Sequence, residues 1–367
     1  MAINNSDIDN STAKKKIVLS GIRATGNLHL GNYFGALNKF VRMQDDYDCR
    51  FFIADLHALT THPDPGSLHE NVKNILAEYL AAGLDPEKNI IYVQSDVPEI
   101  SEMYLLLNMH AGIGELMRTA SFKDKARKAL GIAKPSESSD EEEIEKEIIG
   151  NQSNKSVNAG LLTYPTLMAV DILIHHADFV PVGKDQEQHL ELTRRFGRRF
   201  NSFYKTDYFH DPVNFNFGGN AVKVPGLDGS GKMGKSEGNC IYLIDDEKTL
   251  RKKVMRAVTD QGPQEPNSEP TEPIRNLFTL MELVSTPDTF KHFRDAYADC
   301  SIRYGDLKKQ LAEDILKITL PIRQRILDIR DNDEYLSKVV RRGAEQARET
   351  AAATLREVRE IMGIRKF

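Results

Sequence analysis

The stretch ATGNLHLGNYFGAL, residues 24–37, decides the fold. It follows the short apolar run 17–20 and leads into an apolar, helix-like run that reaches Met43. Gly26 and Gly31 let the backbone come close to something bulky. His29 and Asn32, polar groups at a helix start, face whatever anion sits there. Strand, glycine-rich turn and helix in that order predict a parallel α/β unit whose first turn meets phosphate. The turn has neither the spacing of a P-loop nor a clean G-x-G-x-x-G dinucleotide turn.

Outward from that turn, strand and helix patterns alternate. Residues 50–55 (RFFIAD) and 89–94 (NIIYVQ) read as buried strands, and 179–182 as a short fourth. Helical patterns cover 68–83, 102–122, 157–175 and 185–200, with Gly83 suited to a C-terminal cap. Strands separated by helices imply a parallel sheet with right-handed crossovers. Ligands bind such sheets at the carboxyl ends of their strands. The polar turns 23–32, 55–60 and 183–186 fall there.

After residue 240 only helical patterns remain. Leu311, Ile315, Ile318, Ile322 and Ile326 form one stripe, with Pro321 marking a kink. Ala344, Ala347, Ala351, Leu355, Val358 and Met362 form another, closed by Gly363. The predicted domains are a tail, 1–14; a Rossmann-like catalytic domain, 15–239; an all-helical region, 240–340; and a C-terminal helix, 341–367. Within the catalytic domain, residues 126–156 carry the run DEEEIEKE and read as a solvated surface excursion.

The 367 residues are 40% apolar and 28% charged, which suits a globular protein of about two domains. The net charge of −5 gives no global field for nucleic acid, although a local basic stripe would suffice. The last 27 residues supply one, with seven Lys or Arg against four Glu; a solvated helix face explains the same excess. Cys49, Cys240 and Cys300 lack close spacing and read as reduced thiols of a cytoplasmic protein. No run approaches ~18 unbroken apolar residues, so no membrane span is expected.

The turn's T-G-x-x-H-L-G-N resembles the HIGH signature of class I aminoacyl-tRNA synthetases, with Asn32 in place of the final histidine. Far downstream, KMGKS at 232–236 resembles the KMSKS loop of the same class. Two short motifs in the right order are far more specific than either alone. ADLHALT (54–60), LLTYPTLMAVDIL (161–173) and FVPVGKDQEQHLELTRRFGRRFN (179–201) closely resemble the bacterial tryptophanyl-tRNA synthetases. The resemblance runs from about residue 17 to the end, except for the acidic excursion.

That resemblance implies activation of L-tryptophan by ATP, release of pyrophosphate, and transfer of the amino acid to tRNA(Trp). Such chemistry rests on alignment and charge stabilisation. His29, Asn32, Lys232 and Lys235 are the candidate catalytic residues. Arg23, Ala24, Thr25, Gly31, Asn32, Gly183, Lys184, Asp185, Lys223, Lys232, Met233, Gly234, Lys235 and Ser236 match ATP-contacting positions. Asp171 matches the acceptor of the indole N–H, a group that donates one hydrogen bond and accepts none. Met168, Val180 and Val182 would line the ring, Tyr164 and Gln186 would hold the amino group, and His57 would lie at the floor.

His57 reads equally as a core histidine, and His175, His176 and His189 read as structural. Mg²⁺ would be held mainly by the triphosphate, with no dedicated metal cluster in the sequence. A homodimer is implied, its contacts falling in 97–122, where Met103, Leu106, Leu107, His110 and Gly114 share helical spacing. Three departures from the family pattern bear on phosphate contacts: Gly234 within KMGKS, Arg23 in place of glutamine, and Ala24 in place of proline. Tyrosyl-tRNA synthetase, an HxGH-type nucleotidyltransferase and a non-catalytic synthetase paralogue are the competing readings.

Overall fold

The computed structural model describes residues 15–130, 157–183, 186–215 and 223–365. Its centre is a five-stranded parallel sheet in the order β3-β2-β1-β4-β5. The strands are β1 (Ile17–Arg23), β2 (Asp48–Ala54), β3 (Ile90–Val93), β4 (Phe179–Val180) and β5 (Val213–Asn214). β1 and β2 pair along their whole length, from Ile17 beside Asp48 to Arg23 beside Ala54. β5 was not anticipated; with two residues it carries no periodicity to read.

The strands are apolar on both faces because both faces are buried. Val18, Cys49, Phe51, Ile53 and Ile91 point into one core, and Leu19, Phe52, Ala54 and Tyr92 into the other. The sheet is doubly wound, and its direction of winding reverses between β1 and β4. Ligands of such sheets enter at that reversal, outside the carboxyl ends of the strands.

After β1 the chain makes α1 (Leu30–Asn32), a π-helical turn (Tyr33–Leu37) and α2 (Asn38–Met43). α3 (Asp55–Ala58) follows β2 directly. α4 (Pro65–Ala81) starts with Asp64 accepting the Ser67 amide, and Pro65 sits where no helical N–H is needed. Then come α5 (Glu99–Asn108), α6 (Ile113–Met117), α7 (Ala120–Leu130), α8 (Ala159–Leu173) and α9 (Glu187–Tyr204). Ala126, expected to open the surface excursion, is instead buried on α7 with Phe122 and Leu161. Residues 131–156 and 1–14 lie outside the described residues.

From residue 247 on, the regular elements are all helices: α10 (Glu247–Met255), α11 (Glu272–Val284), α12 (Pro287–Ala298), α13 (Tyr304–Arg330) and α14 (Asp333–Ile361). α13 continues through Pro321. One cluster of buried side chains runs from Val18, Phe40 and Ile75 to Leu250, Ile274 and Ile315, so these helices share a core with the sheet.

α14 begins at Asp333 rather than near 341 and lies against the edge strand β3. Its stripe Ala344, Ala347 and Ala351 is buried in the second core. Buried Arg50 and Tyr92 both bond the His175 ring, at 3.1 and 3.0 Å, and Arg50 reaches Thr350 of α14 at 2.8 Å. Arg342, Arg348 and Arg359 pair with Glu87, Glu99 and Glu102. Much of the C-terminal basic excess therefore fastens α14 to its own subunit.

Gly343 makes the close approach possible. A Cβ there would fall 1.8 Å from the Ile91 carbonyl oxygen, which is backbone and cannot rotate away. Gly343→Ala should cost at least the ~1–3 kcal/mol typical of overpacking. The urea midpoint should fall with the slope unchanged. An unchanged midpoint would mean that α14 does not lie this close to the sheet.

Candidate active site

The first signature turn is built at the end of β1. Gly26 has φ +98, a left-handed conformation that favours glycine. Thr25 N–H folds back onto the Arg23 carbonyl at 2.8 Å. The Asn32 side-chain oxygen accepts the His29 amide at 3.1 Å. Gly31 makes room for the histidine: a Cβ would sit 2.7 Å from the His29 ring. His29 is buried, and its Nδ1 has no partner among the described residues.

The KMGKS loop closes over this turn. Leu30 N–H donates to the Ile241 carbonyl, and Leu243 N–H to the Leu28 carbonyl, each at 2.9 Å. These bonds form an antiparallel bridge between the two signature segments, with His29 opposite Tyr242. Lys235 Nζ then donates to the carbonyls of Gly26, at 2.7 Å, and Thr25, at 3.3 Å. Met233 is buried in the same core cluster as Leu28 and Leu30, and its amide donates to Val224.

Lys232 and Ser236 are exposed, and Gly234 is half-buried. Lys223 is exposed, with its ammonium near Gly231. Asn239 organises the loop: its NH₂ reaches Asp228, Ser230 and the Lys232 carbonyl, while its oxygen accepts the Gly234 amide at 2.9 Å.

A second set of side chains surrounds Asp171, which α8 buries. Gln94 Nε2 reaches both carboxylate oxygens, at 2.8 and 3.0 Å, and His57 Nε2 bonds Oδ2 at 3.0 Å. Burial pushes the Asp171 carboxyl up, and the bonds from His57 and Gln94 oppose that shift. Tyr164 bonds His189 at 2.6 Å, and the Lys125 ammonium lies 3.4 Å from the centre of the Tyr164 ring. Burial, then the Arg23 charge, lower Lys125 to about 8. Lys125 thus lies between the Tyr164 ring and the charge of Arg23 at the end of β1.

Val180 is buried, and Met168, Val182, Gly183 and Gln186 are half-buried. Lys184 and Asp185 lie outside the described residues.

Sequence reasoning missed Gln94, Lys125, Asn239 and Glu78. Gln94 had a signal, being polar at the carboxyl end of a buried strand. Glu78 also had one, as an acid inside the apolar run ILAEYLA. Lys125 and Asn239 sit among polar neighbours and carried none. Among the described residues no group of three or more His, Cys, Asp or Glu side chains is placed to hold a metal ion, and no helix is long and apolar enough to cross a membrane.

A family model described as tRNA synthetases class I (W and Y) matches residues 11–319. A tryptophan–tRNA ligase of Porphyromonas gingivalis is 60% identical over 348 residues, covering 95% of this chain and 99% of that protein. One from Fusobacterium nucleatum is 39% identical over 346 residues, covering 94% and 97%. Among solved structures, tryptophanyl-tRNA synthetase from Campylobacter jejuni, complexed with ADP and tryptophan, superposes with a TM-score of 0.79. It is 30% identical, and the match covers 95% of this chain and 99% of that one.

The electrostatics of His29 can be measured directly. Burial first, then Lys235 and Lys232, lower its imidazole from 6.5 to about 4. Between those values the unfolded chain binds a proton that the folded chain refuses. The ring's contribution to stability is therefore complete above pH 6.5 and fades as pH falls toward 4. An NMR titration, with the His29 signal assigned by its loss in His29→Gln, should give a midpoint near 4. An ordinary midpoint would contradict a ring enclosed beside two ammonium groups.

Proposed function

The chain belongs to the class I tRNA synthetases for tryptophan and tyrosine, and from that premise we propose how its residues run a tryptophan–tRNA ligase reaction. The tryptophan carboxylate attacks the α-phosphorus of ATP, and pyrophosphate leaves. A ribose hydroxyl of tRNA(Trp) then attacks the adenylate's carbonyl carbon, and AMP leaves. Both nucleophiles need position more than activation. The observation that carries this reading is the bridge joining residues 28–30 to 241–243, which sets Lys235 beside the turn that holds His29.

His29, neutral at working pH, offers phosphate a hydrogen bond without adding charge. The Asn32 amide donates beside it. Lys232 and Lys235 follow the departing pyrophosphate, and Gly234 leaves the loop room to move between them. We assign Arg23, Ala24, Thr25, Gly31, Gly183, Lys184, Asp185, Lys223, Met233 and Ser236 to ATP as well. The described residues offer Mg²⁺ no side-chain cage, so we assign it to the triphosphate, whose charge it neutralises.

Asp171 takes the indole N–H. Its Oδ1 accepts one bond, from Gln94, and so retains a lone pair. Met168, Val180 and Val182 line the ring, Tyr164 and Gln186 hold the amino group, and His57 braces Asp171 from the floor.

The partner is tRNA(Trp), with residues 240–340 as the anticodon-binding region, and the compartment is the cytoplasm, which suits three free thiols. A second copy of the chain completes the assembly. The dimer contacts expected at Met103 and Leu107 are excluded, because both are buried inside the subunit. The outward apolar groups are Leu105, Met109, Ile113 and Phe203, exposed by 57 to 70%. We assign the dimer contact to them.

Amino-acid-dependent ATP–pyrophosphate exchange, with tryptophan and tyrosine side by side, tests the reaction; exchange that prefers tyrosine would overturn it. Lys232→Ala should slow adenylate formation by ~10²–10³ and leave tryptophan affinity nearly intact. An unchanged single-turnover rate would remove Lys232 from the pyrophosphate.

The role of Asp171 is tested with a benzothiophene analogue of tryptophan, in which sulfur replaces the N–H. Wild type should prefer tryptophan by about 1–3 kcal/mol, the cost of an unpaired buried group. Asp171→Ala should lose most of that preference. Equal discrimination by both proteins would make Asp171 a structural acid.

A further inference from the structure

Glu78 on α4 is a buried acid that the reaction above does not use. Only 1% of its surface is exposed. Its Oε2 accepts the Leu28 amide at 2.8 Å, one residue before His29. Its Oε1 is buried with no hydrogen-bond partner among the described residues. Lys235 holds the same turn through the carbonyls of Gly26 and Thr25. A carboxyl and an ammonium thus grip residues 25–28 together, one through an amide and the other through carbonyls.

We propose that Glu78 is a positioning residue for adenylate formation: it fixes the turn on which Lys235 rests, and its proton decides how firmly that lysine is retained. The inference rests on the ligase reading given above. With Glu78 neutral, Lys235 is held by two carbonyl dipoles and is free to follow pyrophosphate. With Glu78 ionised, carboxylate and ammonium attract strongly in a water-poor place. Withdrawing the lysine would then leave a buried anion uncompensated.

Burial pushes the Glu78 carboxyl up to about 8, opposed by the Leu28 amide and the Lys235 charge. Facing this pair are His29, which burial and the Lys235 charge hold neutral, Arg23 of β1, which repels Lys235, and the Cys240 thiol, which burial keeps protonated. Of the elements packed on α4, α13 sends Arg325 to the Ala81 carbonyl, and α14 sends Asp333 to Lys73. Neither is among the charges that act on Glu78. A carboxyl raised in this way stabilises the fold fully below 4.5, and that contribution is lost as pH rises through about 8.

The test is single-turnover formation of tryptophanyl-adenylate from pH 6 to 9.5 by wild type and Glu78→Gln, with thermal melts at each pH. Glutamine keeps the oxygen that accepts Leu28 N–H but cannot ionise. The wild-type rate should fall by about tenfold from pH 7 to 9. Glu78→Gln should hold its neutral-pH rate across that range, within about threefold of wild type. Its melts should lose the decline that wild type shows over the same pH window.

Lys125 also titrates near 8. If Lys125 causes the rate loss, Glu78→Gln will keep the wild-type limb and the proposal fails. A variant slowed equally at every pH would also overturn it, leaving Glu78 a purely structural acid. A wild type that forms no adenylate with tryptophan would instead overturn the ligase reading, and this inference with it.

Discussion

The bridge between residues 28–30 and 241–243 is the constraint on which the rest of the site depends. Two backbone hydrogen bonds close a loop of about 200 residues, and loop closure of that length is entropically costly. The contact survives because it is part of the core: Leu28, Leu30, Ile241 and Leu243 are all fully buried. Buried backbone must be paired, and here it is. Leu28 donates its N–H to Glu78 and its carbonyl accepts from Leu243, and Leu30 donates its N–H to Ile241. With these positions fixed, His29 lies opposite Tyr242, and Lys235 of the KMGKS loop reaches the Thr25 and Gly26 carbonyls.

A second consequence is electrical. Arg23 and Lys232, both exposed, and Lys125 and Lys235, both half-buried, set four positive charges around the signature turn. Lys125 and Lys235 are both held below the usual lysine range, burial being the first cause in each. His29 is held neutral for the same reason, reinforced by the two loop lysines. Without a ligand, Arg23 therefore repels both Lys125 and Lys235, and the acid that acts on Lys235, Glu78, is itself pushed toward its neutral form by burial. On the proposed reading, a triphosphate removes that repulsion as it binds. The negative charge that grows on departing pyrophosphate gains the most from it.

Much of this was legible in the sequence because it is local. β1 and β2 announce themselves by apolar content, and the first turn by Gly26, Gly31 and the polar groups between and after them. What stayed hidden is what two distant segments make together. Asn239 looks like any loop asparagine until Asp228, Ser230, Lys232 and Gly234 fold around it. Lys125 belongs to a charged helical run, and only the fold lays it on Tyr164. Glu78 broke an apolar pattern, which was a visible inconsistency. Its reason, the Leu28 amide, lies 50 residues away. Two of the five expected dimer positions, Met103 and Leu107, proved buried for a similar reason, since helical spacing identifies a face of α5 but not whether that face points inward.

On the proposed reading, amino-acid choice follows from the donors around Asp171. Tyrosine's hydroxyl could also donate to that carboxylate, so an acid alone does not separate the two side chains. The difference lies in the oxygen left behind, which accepts hydrogen bonds and, if dry, needs a donor. Gln94 Nε2 and His57 Nε2 already bond Asp171. Val180 is apolar, and Met168 offers only a thioether. On our assignment of the pocket, the donors nearest the carboxylate are therefore engaged before any ligand arrives. An indole, which has a donor and no acceptor, completes that arrangement. A phenol would bury an oxygen there or draw a donor away from Asp171. On that assignment His57 and Gln94 do more than hold the acid in place: engaged with it, they are withheld from tyrosine's hydroxyl.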